Sequence, residues 1–123
     1  MLAEKGRLRS WSRIVQPVSN ELTRLECLRT IDRARVPLGL ADRVVARHRA
    51  DVLEALSAFH LVSLDERVLE RASEPFPTLL GSLDAIHLAS GLLARSAFEQ
   101  LAFATHDQEL AVAATAVGFE VLS

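Results

Sequence analysis

The chain is 123 residues long, half of them hydrophobic, with no tyrosine, one tryptophan and a formal net charge of −2. That length suits one domain with a real core and is too short for two. The single cysteine, Cys27, excludes an internal disulfide, and no charged-then-apolar leader or long uncharged run is present, so the expectation is a cytoplasmic protein. Residues 1–50 carry 11 Lys/Arg against 5 Asp/Glu and residues 51–123 carry 3 against 11, giving halves of +6 and −8. Such asymmetry allows a basic surface for a polyanion beside an acidic site for a metal, and ordinary solvated helix faces explain it equally well.

In chain order, Leu2 to Trp11 reads as a short basic segment, helical in pattern. A β-branched run from Arg13 to Ser19 follows, with Pro17 keeping it near a strand end or edge. Ser19 or Asn20 suits a helix N-cap, and apolar residues at 22, 25, 28 and 31 predict a helix from Glu21 to Ala34 with Glu26 at the margin of its buried stripe. Val36-Pro-Leu-Gly39 breaks it. A second helix is expected from Ala41 to Ala58, with Val44, Val45, Leu53, Leu56 and Phe59 turned inward, and then a strand over His60–Leu64. Asp65 caps a helix to Ala72 that ends at Pro75-Phe-Pro77. After a helix over Gly81–Ala94 come a buried strand at Leu101–Thr105, a helix at Asp107–Val117, Gly118 as its stop, and a last strand at Phe119–Leu122. Strands alternating with helices predict an α/β sandwich around a mainly parallel sheet.

The helix from Leu83 to Ala94 is apolar or small nearly all the way round and carries one carboxylate, Asp84. A helix of that kind is buried, and an ionised side chain in it needs a polar cleft or a cationic partner. A capping role would need the helix to start near Leu83, whereas the pattern is already helical from about Gly81. In α/β folds working groups gather at the carboxyl ends of strands. Asp107, just past the strand ending at Thr105, and Glu26, in the first helix after the first strand, both meet that condition.

Hard divalent cations such as Mg²⁺ and Mn²⁺ prefer oxygen ligands, and Glu26, Asp84 and Asp107 have that character. A metal so held could activate water for attack on a phosphodiester, with the arginines at 24, 29, 33, 35, 43, 47 and 49 neutralising backbone phosphates. Blander readings stand beside this one. Glu26 could be an ordinary helix carboxylate near Arg29 and Arg33. Asp107 could be an N-cap, or sit within a Thr105-x-x-Gln108 capping box. His87, three residues after Asp84, and His106 allow a transition-metal site, but a lone histidine on an apolar helix is more often a hydrogen-bonded core residue. No His-Glu-x-x-His, phosphate-binding glycine loop or Gly-x-Ser-x-Gly elbow is present, which disfavours a zinc protease, a P-loop nucleotidase and an α/β-hydrolase.

Three stretches, Ser-Asn-Glu-Leu-Thr-Arg-Leu-Glu-Cys-Leu-Arg (19–29), Ser-Leu-Asp-Ala-Ile-His-Leu-Ala (82–89) and Phe-Ala-Thr-His-Asp-Gln-Glu-Leu-Ala (103–111), resemble in order and spacing the PIN-domain ribonucleases, and among them the VapC-like toxins of VapBC-type toxin–antitoxin pairs. The resemblance covers essentially the whole chain and implies one PIN-like domain over residues 1–123, a three-layer α/β/α sandwich. It implies that Glu26, Asp84 and Asp107 match three of the family's acidic metal-site positions, with Thr105 as the supporting hydroxyl. It further implies a Mg²⁺- or Mn²⁺-dependent endoribonuclease acting on RNA, commonly a homodimer, inhibited by a small antitoxin protein. A catalytically deficient PIN-like module that binds an antitoxin or RNA is the alternative.

The start departs from the pattern. Family members open with the central strand of the sheet, ending in Asp-Thr or Asp-Ser, and that Asp is the fourth acid. Here the chain begins Met1-Leu-Ala-Glu-Lys, and Glu4 sits in a basic segment with no preceding strand. A late-assigned start, favoured here, a decayed gene, or another chain filling the gap would each account for this. With the central strand and one acid missing, weak or absent nuclease activity is expected of the chain itself.

Overall fold

The computed structural model describes residues 16–98 and 100–122; the basic segment expected over Leu2–Trp11, Glu4 and the first residues of the first predicted strand lie outside them. Four strands and five helices follow in the order β1 (Val18–Asn20), α1 (Leu22–Ala34), α2 (Asp42–Leu56), β2 (His60–Val62), α3 (Glu66–Ser73), α4 (Ser82–Ala94), β3 (Phe103–Ala104), α5 (Gln108–Ala116) and β4 (Val121–Leu122). Each expected element falling on described residues is present, with the strands trimmed to two or three residues.

All pairing among the described strands is parallel. β1 runs beside β2, with Val18 opposite His60 and Asn20 opposite Val62, and β3 runs beside β4, with Phe103 opposite Val121 and Ala104 opposite Leu122. Parallel neighbours need a crossover, supplied by α1 and α2 in the first pair and by α5 in the second. The described strands form two separate two-stranded units. α4 packs against β1 on one side and against α3 and α5 on others, so it ties the two halves together.

The caps explain where several helices begin and end. Asp65 Oδ1 accepts the Val68 amide at 3.1 Å, which fixes the start of α3 as expected. Gly118 follows α5 at φ +100°, a left-handed conformation suited to glycine, and Phe119 N–H closes the turn on the Ala114 carbonyl at 2.9 Å. α4 behaves as a buried helix: Ala85, Leu88, Ala89, Ser90, Gly91 and Ala94 are all buried, although Leu83 at its start is exposed. The absence of a side chain at Gly91 lets the Phe103 and Phe119 rings approach; a Cβ there would lie 3.3 Å from Phe119 Cζ and 3.4 Å from the Phe103 ring. Phe103, Leu88, Leu110, Ala113, Ala114 and Phe119 form the main core.

Two helices hide less than their patterns predict. Leu25 of α1 is 56% exposed and Leu53 of α2 is 38% exposed. The apolar positions 22, 25, 28 and 31 are all three apart, and each such step turns about 60° short of a full circle, so the stripe winds round α1 instead of staying on one face. β1 and α2 cover only part of it, and the small polar Thr23 takes the deepest position.

Candidate active site

The first helix is set by a buried polar network that begins at the carboxyl end of β1. Ser19, Asn20 and Thr23 are at most 1% exposed. Ser19 and Thr23 share a hydroxyl–hydroxyl hydrogen bond of 2.6 Å, Asn20 Oδ1 accepts the Leu22 amide at 2.8 Å, and Asn20 Nδ2 donates to Ser90 Oγ on α4 at 2.7 Å. The residue at the N-cap is Glu21, without a side-chain cap bond of its own; its Oε1 instead accepts the Leu64 amide beyond β2 at 2.8 Å. Asn20 thus does the work of a cap from one residue upstream while tying the end of β1 to α4. In the sequence Ser19 and Asn20 read as local caps; the signal of a buried network is the pair of small polar residues at an otherwise apolar strand end.

Asn20→Ala is expected to destabilise the protein by about 1–3 kcal/mol, the usual cost of leaving buried hydrogen-bonding groups unsatisfied. Urea unfolding followed by circular dichroism checks this. A change within the scatter of an exposed substitution would show that the Asn20–Ser90 bond is not holding β1 to α4.

Glu26 lies one turn into α1 and Asp84 in the first turn of α4, three residues past the Gly81 N-cap. Asp84 therefore does not cap its helix, and it makes no side-chain hydrogen bond among the described residues. Its carboxyl is pushed above the ordinary carboxylate value, first by partial burial and then by the negative charges of Asp107 and Glu26, while His87 works in the opposite direction. Acids from α1 and from just past β3 thus reach Asp84 with their charge. Burial, with a smaller contribution from Glu26, also raises the neighbouring Cys27 thiol, which makes it a packing residue and not a reactive thiolate.

Asp107 fulfils the capping reading as well. Its Oδ1 accepts the Leu110 amide at 2.8 Å at the start of α5, and its own amide donates to Thr105 Oγ1 at 3.0 Å. Thr105, buried at 9% exposure, supports Asp107 by a local turn and does not form the capping box with Gln108. Capping occupies one carboxylate oxygen; Oδ2 has no hydrogen bond among the described residues.

Glu26 is held from α4. His87 Nε2 and Glu26 Oε1 are 3.0 Å apart across 61 residues of sequence, with the histidine side chain 14% exposed and the glutamate 37%. Since an ionised carboxylate only accepts, Nε2 carries the hydrogen. His87 Nδ1 is buried without a partner among the described residues.

In donor type and charge the three acids fit a hard divalent cation, because their mutual repulsion is what such a charge relieves. In spacing they are looser: among the described residues no three His, Cys, Asp or Glu side chains are grouped to hold a metal ion. A cavity of about 280 Å³ at the α1–α2 turn, lined by Asp32, Arg35, Asp42, Val45, Ala46 and Arg49, includes none of the acids.

No curated protein and no solved structure gives a significant match to the chain. The family model described as the PIN domain matches residues 4–116. That span contains all of Glu26, Asp84, Thr105 and Asp107 and every described element but β4, so the chain belongs to the PIN domain family, a family of nucleases.

Proposed function

We propose that the chain is a Mg²⁺- or Mn²⁺-dependent endoribonuclease of the toxin type, with Glu26, Asp84 and Asp107 as three of its acidic metal ligands. The supporting observation is the raised carboxyl of Asp84, caused first by its partial burial and then by the charges of Asp107 and Glu26, acids brought from two other elements. A divalent cation held by these residues would lower the pKa of a bound water and offset charge on the scissile phosphate. The chain's own part is to hold Asp107 through Thr105 and the α5 amides, to present Asp84 from the first turn of α4, and to bring Glu26 across from α1. Arg24, Arg33, Arg43, Arg47 and Arg49 are exposed and form no salt bridge among the described residues, so they are free to meet RNA phosphates; Arg29 and Arg35 are engaged by Asp32 and Asp42. Exposed Val36 and Leu38 at the α1–α2 turn offer apolar surface of the kind a small antitoxin or a second copy of the chain would cover.

The looseness of the acids favours one other reading, a module that binds RNA or an antitoxin without cutting. RNA incubated with the purified chain and Mn²⁺ separates the two. Slow cleavage that stops on adding EDTA is the expected result. RNA that is retained by the protein yet stays intact at every Mn²⁺ concentration would establish the binding module instead.

A further inference from the structure

α4 carries Asp84 and His87 three residues apart, and therefore on one side of the helix. Asp84 is the acid; His87 reaches the other acid-bearing helix and bonds Glu26 at 3.0 Å. The remaining glutamate oxygen, Oε2, makes no hydrogen bond among the described residues. A histidine serving only to fill the core would be expected to satisfy both ring nitrogens, since buried polar atoms are nearly always paired. Here Nδ1 is left without a partner among the described residues and the one directed bond goes to Glu26. Glutamate has a long side chain that a single turn of α1 does not orient, and Glu26 is more than one-third exposed, so packing alone does not hold it.

We infer that His87 is a positioning residue for Glu26: its Nε2–H to Oε1 bond fixes the α1 carboxylate against α4 and leaves Oε2 for a divalent cation. This rests on the metal-site reading proposed above. Ligating carboxylates are commonly oriented by such outer partners, and loss of one typically weakens metal binding about 10–100-fold. The inference also accounts for a histidine on an otherwise apolar helix: its role is exercised through Glu26 and not through direct ligation.

The test is calorimetric titration of Mn²⁺ alone into the full chain and three variants. His87→Leu keeps the bulk and removes the donor; His87→Gln keeps an N–H near the Nε2 position; Asp84→Asn removes a ligand. The expected result is affinity weakened about 10–100-fold in His87→Leu and largely recovered in His87→Gln, with far-ultraviolet circular dichroism unchanged. Equal affinity in His87→Leu and wild type, or loss without recovery in His87→Gln, overturns the positioning role while leaving the metal reading standing. Flat titrations for the wild type and every variant overturn the metal reading, and this inference with it. Long-range ¹H–¹⁵N spectra of the metal-free wild type give a second readout that needs no variant: the Nε2–H tautomer of His87 is expected, and an Nδ1–H tautomer would rule the bond out.

Discussion

Asp84→Asn is expected to do two things of opposite sign: to abolish Mn²⁺ binding, and to raise the melting temperature of the metal-free protein at pH 7. The first follows from removing a full charge and a donor from a three-acid set, which should exceed the roughly 10–100-fold loss typical of an outer partner. The second follows from the raised carboxyl of Asp84, caused by partial burial and by the charges of Asp107 and Glu26. A carboxyl whose folded-state pKa lies above its unfolded value binds its proton more tightly in the folded state. The stability linked to that proton is fully present below the unfolded value of about 3.9 and is lost as pH rises through the higher folded value. Asparagine imitates the protonated form at every pH. The variant should therefore melt above the wild type at neutral pH, with the difference closing as the pH falls below about 4. Saturating Mn²⁺ should reverse the order, because a ligand that binds only the folded wild type stabilises it alone. Scanning calorimetry at several pH values, with EDTA or with Mn²⁺, reads all of these. A metal-free variant less stable than wild type at pH 7 would mean that Asp84 is a structural residue and not a site acid.

Phe103→Ala should cost about 3–5 kcal/mol, the range for truncating a fully buried aromatic residue. Phe103 is 0% exposed, its ring centroid lies 5.6 Å from that of Phe119, and it rests against Gly91 of α4 and the Leu88–Leu110–Ala113 cluster. Glycine at 91 has no side chain with which to fill the space a lost ring leaves, so the cavity should persist and the cost fall toward the upper part of the range. Against a total stability on the order of 5–15 kcal/mol, this leaves little margin. The effect should reach the site as well, because β3 leads directly into Thr105 and Asp107. Urea unfolding should show the loss; Val112→Ala on the exposed side of α5, where the residue is 54% exposed, should change stability by no more than about 0.5 kcal/mol. Similar shifts for the two variants would overturn the description of this core.

Much of the fold was legible in the residues themselves. Asp65 and Gly118 mark helix ends by chemistry that acts within four residues, a carboxylate accepting an amide and a backbone that turns left-handed. The near-complete apolar surface of residues 83–94 announced a central helix, and the alternation of short β-branched runs with helical periods announced parallel strands. Asp84 was legible as an anomaly for the same reason, since one carboxylate in such a helix raises the question of a partner. Asp107 carried two readings in the sequence, a helix cap and a metal-site acid, and the structure has it capping α5.

What the sequence by itself determined was local: which segments become helix or strand, where several of them stop, and which acids stand near strand ends. The exposure of Leu25 and Leu53, the Asn20–Ser90 bond and the His87–Glu26 pair were decided only by the tertiary structure. Periodicity and capping act over a turn or two of chain and leave their signature in neighbouring residues. By contrast, Glu26 meets His87 across 61 residues and Asn20 meets Ser90 across 70, through the way β1, with α1 following it, is set against α4. That placement is set by how the side chains between β1, α3, α5 and α4 fill space, and no short stretch of sequence contains it.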